Sequence, residues 1–198
     1  MTDMKTQKQN ASTTSSSTAS TKVAVFSKLR KKFPNLMFFV SKECDFNVVL
    51  YDTMKRENNL SSSICNYTRV NLENLDAKGL PLAQVLQENF YGLSEPIKVG
   101  EGMYKTSMHA LPERTLTIKL KKGKCNLFGE VGNSKNAMLI CVHLFVDFSF
   151  GIPQLNHLTI IGIDDKTRKI VEEPVPVTSD MLKKFDISQI VKTYLSSS

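Results

Sequence analysis

Residues 137–148 read AMLICVHLFVDF, and a run of this length, rich in β-branched and aromatic residues, predicts a long strand. Alternate side chains of a strand point to opposite faces of its sheet. One predicted face is wholly apolar and belongs to the core: Met138, Ile140, Val142, Leu144, Val146 and Phe148. The other face is mixed: Leu139, Cys141, His143, Phe145 and Asp147. Of these, Cys141, His143 and Phe145 mark either a ligand pocket or a second packing layer.

Short strands surround this stretch on both sides. After Gly100 the pattern predicts strands at 103–111, 115–120, 125–130, 155–163 and 169–171, separated only by short turns. Parallel neighbours require a crossover of about a dozen residues or more. The strands after Gly100 are therefore expected to pair antiparallel.

The first half of the chain adds three more strands and a helix. Strands are expected at 36–40, 47–51 and 64–72, and the 3.6-residue period of 80–90 predicts a helix. A second helix is expected at 179–194, after a cap at Thr178 or Ser179. The fold class is therefore mainly β: an antiparallel β-sandwich or closed β-barrel over residues 34–177, with one inserted helix and a C-terminal helix within 178–198 that packs on it.

The N-terminal segment differs from this domain in composition and charge. Residues 1–21 are rich in Ser and Thr and are expected to be a disordered tail, whereas 22–33 fit a basic amphipathic helix. Residues 1–42, which we call the arm, hold eight basic residues and one acidic residue. Residues 43–198 hold eighteen of each, so the net charge of +7 lies wholly in the arm. The body should not attract polyanions through its net charge.

The densest positive charge of the arm is predicted to bind a partner. It comprises Lys28, Arg30, Lys31 and Lys32. The expected partner is a protein with an acidic surface, while nucleic acid or an anionic membrane is an alternative through the arm only. A second basic group lies near 119–124, and a solvated hairpin tip explains it as well as nucleic-acid binding by the body does.

No motif of a known catalytic or metal site is present in the sequence. The four cysteines are too widely spaced for zinc motifs, and Cys141, His143 and Asp147 are more typical of a packed strand than of a metal site. Ser107 and His109 lack a nucleophile motif such as G-x-S-x-G. We therefore expect a non-catalytic interaction module without cofactor. The alternative is a small-ligand- or lipid-binding β-barrel, or a hydrolase-type enzyme, with its pocket on the His143 face.

The expected compartment is the cytosol, because no apolar signal-peptide core follows Met1 and the cysteines are then free thiols. A mitochondrial location is the alternative, because the arm is basic and acid-poor like a transit peptide.

The order of short segments along the chain resembles the domain-of-unknown-function family 4833 over roughly residues 34–175. The segments that carry the resemblance are FFVS at 38–41, NVVLY at 47–51, FYGL at 90–93, Tyr104 with RTLTIKL at 114–120, LFV at 144–146 with GIP at 151–153, LTIIG at 158–162, DD at 164–165 and VEE at 171–173. The resemblance implies a mainly β domain and supplies no catalytic residue. The chain departs from the bacterial members in having no Trp and no secretory signal, and in a less aromatic segment at 64–72.

Overall fold

The computed structural model describes residues 12–43, 45–52, 55–56, 59–60, 66–79, 91–121, 124–147 and 154–184. The two described helices are α1 (Ser12–Lys32) and α2 (Ser179–Lys184). The strands are β1 (Leu36–Lys42), β2 (Asn47–Asp52), β3 (Lys55–Arg56), β4 (Asn59–Leu60), β5 (Asn66–Asn71), β6 (Ala77–Gly79), β7 (Ile97–Gly100), β8 (Met103–Met108), β9 (Leu111–Lys121), β10 (Lys124–Val131), β11 (Ser134–Asp147), β12 (Gln154–Asp164) and β13 (Ile170–Pro176).

Eleven of these strands form one sheet that curls into a half-barrel, so the prediction of a mainly β fold is confirmed. The described strands run in the order β6-β5-β2-β1-β11-β10-β9-β8-β7, with β12 and β13 branching from β11. Consecutive strands from β7 to β13 pair antiparallel, as expected. Strand β1 is different because it pairs parallel to β11, across a connection long enough for a crossover.

Strand β11, which contains most of the stretch quoted above, has three neighbours. Strand β12 pairs along one edge from Ala137 to Asp147. The other edge is shared, since β10 pairs with β11 up to Met138 and β1 pairs with it from Cys141 onward. Strand β11 is therefore the point at which the three parts of the sheet meet.

A β-bulge in β11 changes which side chains share a face. The register shifts between Leu139 and Cys141. Leu139 and Val142 belong to one core cluster, which we call the inner core, whereas Ile140 and Cys141 belong to a second cluster, the outer core. The predicted strict alternation that placed Met138, Ile140 and Val142 on one face is therefore wrong, because a bulge places two residues opposite one and reverses the order after it.

Helix α1 covers the outer core. Phe26 and Leu29 are buried in it, and the Phe26 ring stacks on Phe39 of β1 with centroids 6.5 Å apart. The helix begins at Ser12, so residues 12–21, which were expected to be disordered, are helical. A helix that is already held at one turn by packing extends easily, because each added residue forms one more hydrogen bond. The buried Ala19 brings this packed part of α1 closer to its N-terminus.

The C-terminal helix packs on the inner core through Met181, and the Thr178 hydroxyl accepts the Met181 backbone N–H at 3.2 Å as its N-terminal cap. The rest of the helix predicted at 179–194 lies outside the described residues, as does the whole of the helix predicted at 80–90. Among the described helices, none is long and apolar enough to cross a membrane.

We expect Leu29→Ala to lower the free energy of unfolding by about 2–4 kcal/mol, because the Leu29 side chain is completely buried where α1 packs on the sheet. Urea denaturation followed by circular dichroism measures this change. Lys31→Ala, on the exposed side of the same helix, is the control and should change stability by less than about 0.5 kcal/mol. Equal effects of the two substitutions would show that α1 is not packed as described.

Candidate functional site

Arg30 faces the sheet instead of solvent. Its Nη2 donates hydrogen bonds to the Cys125 carbonyl oxygen and to Asn126 Oδ1, both at 2.6 Å. Its guanidinium carbon also lies 5.2 Å from the centroid of the Phe26 ring. Partial burial of the guanidinium lowers the pKa of Arg30 from its usual value. Arg30 therefore docks α1 onto β10.

Lys28, Lys31 and Lys32 are exposed near the C-terminal end of α1, and we call these three residues the helix-end surface. Lys28 Nζ donates to the Leu72 carbonyl oxygen at 3.2 Å, and Lys32 Nζ donates to that of Leu75 at 2.8 Å. These bonds hold two ammonium groups beside the turn that follows β5. Positive charge at this end of a helix is also favoured by the helix dipole.

The predicted pocket residues Cys141, His143 and Phe145 come together on β11, with Ser41 beside them on β1. Ser41 Oγ lies 3.4 Å from Cys141 Sγ and 2.9 Å from His143 Nδ1. His143 contacts Phe145 edge-on at 4.6 Å, and Phe145 stacks on His157 at 4.1 Å between centroids. The parallel register of β1 and β11, which pairs Ser41 with His143, creates this cluster.

Burial favours the neutral forms of Cys141 and His143 in this cluster. Cys141 is 0% exposed and His143 is 4% exposed. Desolvation raises the pKa of Cys141 to about 12, while desolvation and then the nearby charge of Lys22 on α1 lower that of His143 to about 4. A thiol, a hydroxyl and an imidazole in contact form a chain suited to proton transfer. A shielded, protonated thiol is nevertheless a poor nucleophile.

The other residues weighed from the sequence have structural partners. The Ser107 hydroxyl contacts Ser94 Oγ at 3.1 Å, and the His109 backbone N–H donates to the Gly92 carbonyl oxygen at 2.9 Å. Within the described ranges, no group of three His, Cys, Asp or Glu side chains is arranged to hold a metal ion.

A cleft of about 440 Å³ lies where β9, β10 and β13 approach one another. It is lined by Glu113, Arg114, Thr115, Glu130, Gly132 and Glu173. The Arg114 guanidinium donates to both carboxylate oxygens of Glu173, and the Gly132 backbone N–H donates to the same carboxylate at 2.9 Å. These bonds lower the pKa of Glu173 and raise that of Arg114. The ion pair therefore joins two strands that are not neighbours in the sheet.

Comparison with known protein families matches residues 38–173 to a domain of unknown function, DUF4833. The chain belongs to the DUF4833 family. The matched range begins in β1 and ends in β13, so helix α1 lies outside it although α1 covers the outer core of the DUF4833 domain. Neither a curated protein nor a solved structure shows a significant match to the chain.

Sequence reasoning missed Ser41, His157 and the pair of Arg114 with Glu173. A serine ending the apolar run LMFFVS was a weak signal for a buried polar contact, since buried hydroxyls need partners. Arg114 and Glu173 lie in two of the segments that carry the family resemblance, but their contact requires the curl of the sheet. The pairing could not be inferred from their positions in the chain.

The buried imidazole predicts a pH dependence of stability. The pKa of folded His143 is about 4, below its unfolded value near 6.5, so the unfolded chain binds more protons between these values. The contribution of His143 to the free energy of unfolding should therefore fall, by up to about 3 kcal/mol, as pH drops from about 6.5 to about 4. His143→Gln retains a polar partner for Ser41 without an ionisable ring. Urea titrations at several pH values should show a shallower decline for this variant than for the wild type, and parallel curves would contradict the prediction.

The pair of Arg114 and Glu173 should stabilise the half-barrel. The two side chains are 29% and 23% exposed, and their contact is bidentate. We expect a coupling energy of about 1–2 kcal/mol in a double-mutant cycle of Arg114→Gln and Glu173→Gln, measured by chemical denaturation. The exposed pair of Lys135 and Glu130 is the matched control and should couple by less than about 0.5 kcal/mol. A coupling near zero for both pairs would show that the first does not hold the strands together.

Proposed function

We propose that the protein is a non-catalytic interaction module that binds an acidic protein surface through the helix-end surface. This proposal rests on the different positions of the basic side chains of α1. Arg30 docks the helix on the sheet, whereas Lys28, Lys31 and Lys32 remain exposed on the anchored helix. Charges fixed on a rigid element lose less entropy on binding than charges on a disordered tail. Complementary charge also raises the rate of association.

The chemistry of the buried cluster favours binding over catalysis. Its thiol and imidazole are both neutral near pH 7 and buried, and the thiol lies in the outer core that α1 covers. An enzyme acting through Cys141 would need a thiolate that reaches its substrate. The competing hypothesis of a ligand pocket or hydrolase site on the His143 face therefore has less support than an interaction role.

The proposal places the protein in the cytosol. Among the described residues, Cys125 and Cys141 are buried and form no disulfide, which supports a reducing compartment. Removal of a transit peptide near residue 35 would take away α1, and with it Phe26 and Leu29 from the outer core. This argument weighs against the mitochondrial alternative.

The test compares two triple variants of the full chain that lose the same charge. Lys28→Gln, Lys31→Gln and Lys32→Gln together remove the helix-end surface while Arg30 remains to hold the helix. Lys135→Gln, Lys166→Gln and Lys169→Gln remove three exposed lysines elsewhere and form the control. Each protein is immobilised, exposed to a cell extract, and the proteins it retains are quantified by mass spectrometry at increasing salt.

We expect the wild type and the control to retain a shared set of acidic proteins, released by high salt, and the helix-end variant to retain at least about tenfold less. The direct interaction of a purified protein from this set is then measured by titration. Equal retention by the two variants would show that the helix-end surface is not the contact.

A further inference from the structure

The β9–β10 hairpin and its neighbour β8 place four lysines on one face of the sheet. In the register, Lys105 lies opposite Thr117, Lys119 opposite Asn126, and Lys121 opposite Lys124. Side chains directly opposite each other in an antiparallel pair point to the same side. On β9, Leu116 and Ile118 point into the inner core, so the odd-numbered positions on that strand face outward. We call Lys105, Lys119, Lys121 and Lys124 the lysine face.

Among the described residues, no acidic side chain forms an ion pair with the lysine face. The ion pairs found among the described residues join Arg114 to Glu173, Lys135 to Glu130 and Arg168 to Asp165, and none uses a lysine of this face. The register partners of these lysines are uncharged or are one another: Ile97, Met103, Thr117, Asn126 and the pair of Lys121 with Lys124. One lysine is positioned by an aromatic ring, since Lys119 Nζ lies 4.2 Å from the centroid of Phe128.

The same two strands carry their acidic residues at the opposite end. Glu113 and Glu130 line the cleft described above, whereas Lys121 and Lys124 lie at the hairpin end. Eight residues of strand separate Glu113 from Lys121, about 26 Å at 3.3 Å per residue. This distance exceeds the screening length of about 8 Å at physiological ionic strength. The zero net charge of residues 43–198 therefore conceals a basic surface that acts independently of the acidic end.

Exposed apolar side chains lie beside the lysine face. Of the five large apolar side chains that the described residues leave exposed, three are at the β7–β8 hairpin: Ile97 at 69%, Val99 at 47% and Met103 at 41%. Ile97 lies opposite Lys105, and Met103 lies opposite Lys119. Apolar side chains of this size are normally scattered singly over a surface, so their concentration beside unpaired lysines is a feature to be explained.

We propose that the lysine face and the β7–β8 hairpin dock together on an anionic lipid membrane. The ammonium groups would contact the phosphates and carboxylates of the headgroups, while Ile97, Val99 and Met103 enter the boundary between headgroups and acyl chains. This inference uses a different surface from the helix-end surface and does not depend on the proposed function. It also departs from the expectation that polyanions bind through the arm only.

The arrangement fits a membrane better than a nucleic acid. Proteins that bind single strands stack bases on exposed aromatic rings. The ring that the structure describes on the lysine face, Phe128, is only 7% exposed and lies beneath Lys119. Flexible aliphatic side chains at a hairpin have no role in contacting phosphates, but their transfer from water to the acyl boundary is favourable.

The experiment measures co-sedimentation of the full chain with vesicles. One set is pure phosphatidylcholine, and the other contains about 30 mol% phosphatidylserine. A charge variant replaces Lys105, Lys119, Lys121 and Lys124 by Gln. Its control replaces Lys78, Lys135, Lys166 and Lys169, four exposed lysines outside the face, by Gln. An apolar variant carries Ile97→Ser and Met103→Ser, and its control carries Ile170→Ser. Circular dichroism establishes that each variant is folded.

We expect the wild type to bind the anionic vesicles at least about tenfold more strongly than the neutral ones, and to be released by salt. The charge variant should lose about 100-fold in partitioning. The apolar variant should lose about tenfold, because two aliphatic side chains no longer leave water. Both controls and the Lys28, Lys31 and Lys32 triple variant should remain within about threefold of the wild type, since they retain the face.

Four results would overturn the proposal. The first is equal binding to both kinds of vesicle. The second is an equal loss in the charge variant and its control, which would make net charge alone responsible. The third is retention of a poly(U) oligonucleotide without vesicle binding, which would assign the lysine face to nucleic acid. Loss of vesicle binding in the helix-end variant alone would likewise assign the membrane contact to α1.

Discussion

Burial on both faces of β11 is the constraint on which the rest of this structure depends. Its bulge sends Leu139 and Val142 into the inner core and Ile140 and Cys141 into the outer core, so apolar side chains leave the strand on both sides. A sheet with two apolar faces needs cover on both, because each uncovered face would leave several large side chains in water. The curl of the sheet encloses one face, and α1 covers the other.

This requirement explains why a helix outside the family match is part of the folded domain. Helix α1 is a weak helix by composition, with many Ser and Thr residues in its first half. Phe26 and Leu29 supply the apolar burial that holds it, and Arg30 adds two hydrogen bonds to β10. Tertiary packing, more than intrinsic propensity, therefore stabilises α1. The same packing shields Cys141 from solvent, and Lys22 of α1 lowers the pKa of His143, so the helix also affects the chemistry of the buried cluster.

Charge in this protein has to be considered surface by surface. The arm holds the net charge, but one of its cations is used for docking and two others donate to carbonyl groups of a turn. The body is neutral in total, yet it separates Lys121 and Lys124 from Glu113 and Glu130 along two strands. At physiological ionic strength, charges that far apart act independently. The charge that each surface presents is therefore not given by the isoelectric point of the chain.

The sequence by itself determined the mainly β class, the antiparallel run of strands after Gly100 and the resemblance to the family, and it narrowed the cap of the C-terminal helix to Thr178 or Ser179. Strand period, turn residues and segment order are local properties. The sequence also brought Cys141, His143 and Phe145 together correctly, since residues two apart on a strand share a face. Only the tertiary structure decided that β1 joins β11 in parallel with Ser41 against His143, that a bulge exchanges the faces, and that Arg30 turns inward. Each of these depends on contacts between segments distant in the chain, whose free energy is set by packing and register, and no local pattern encodes which distant segment supplies the partner.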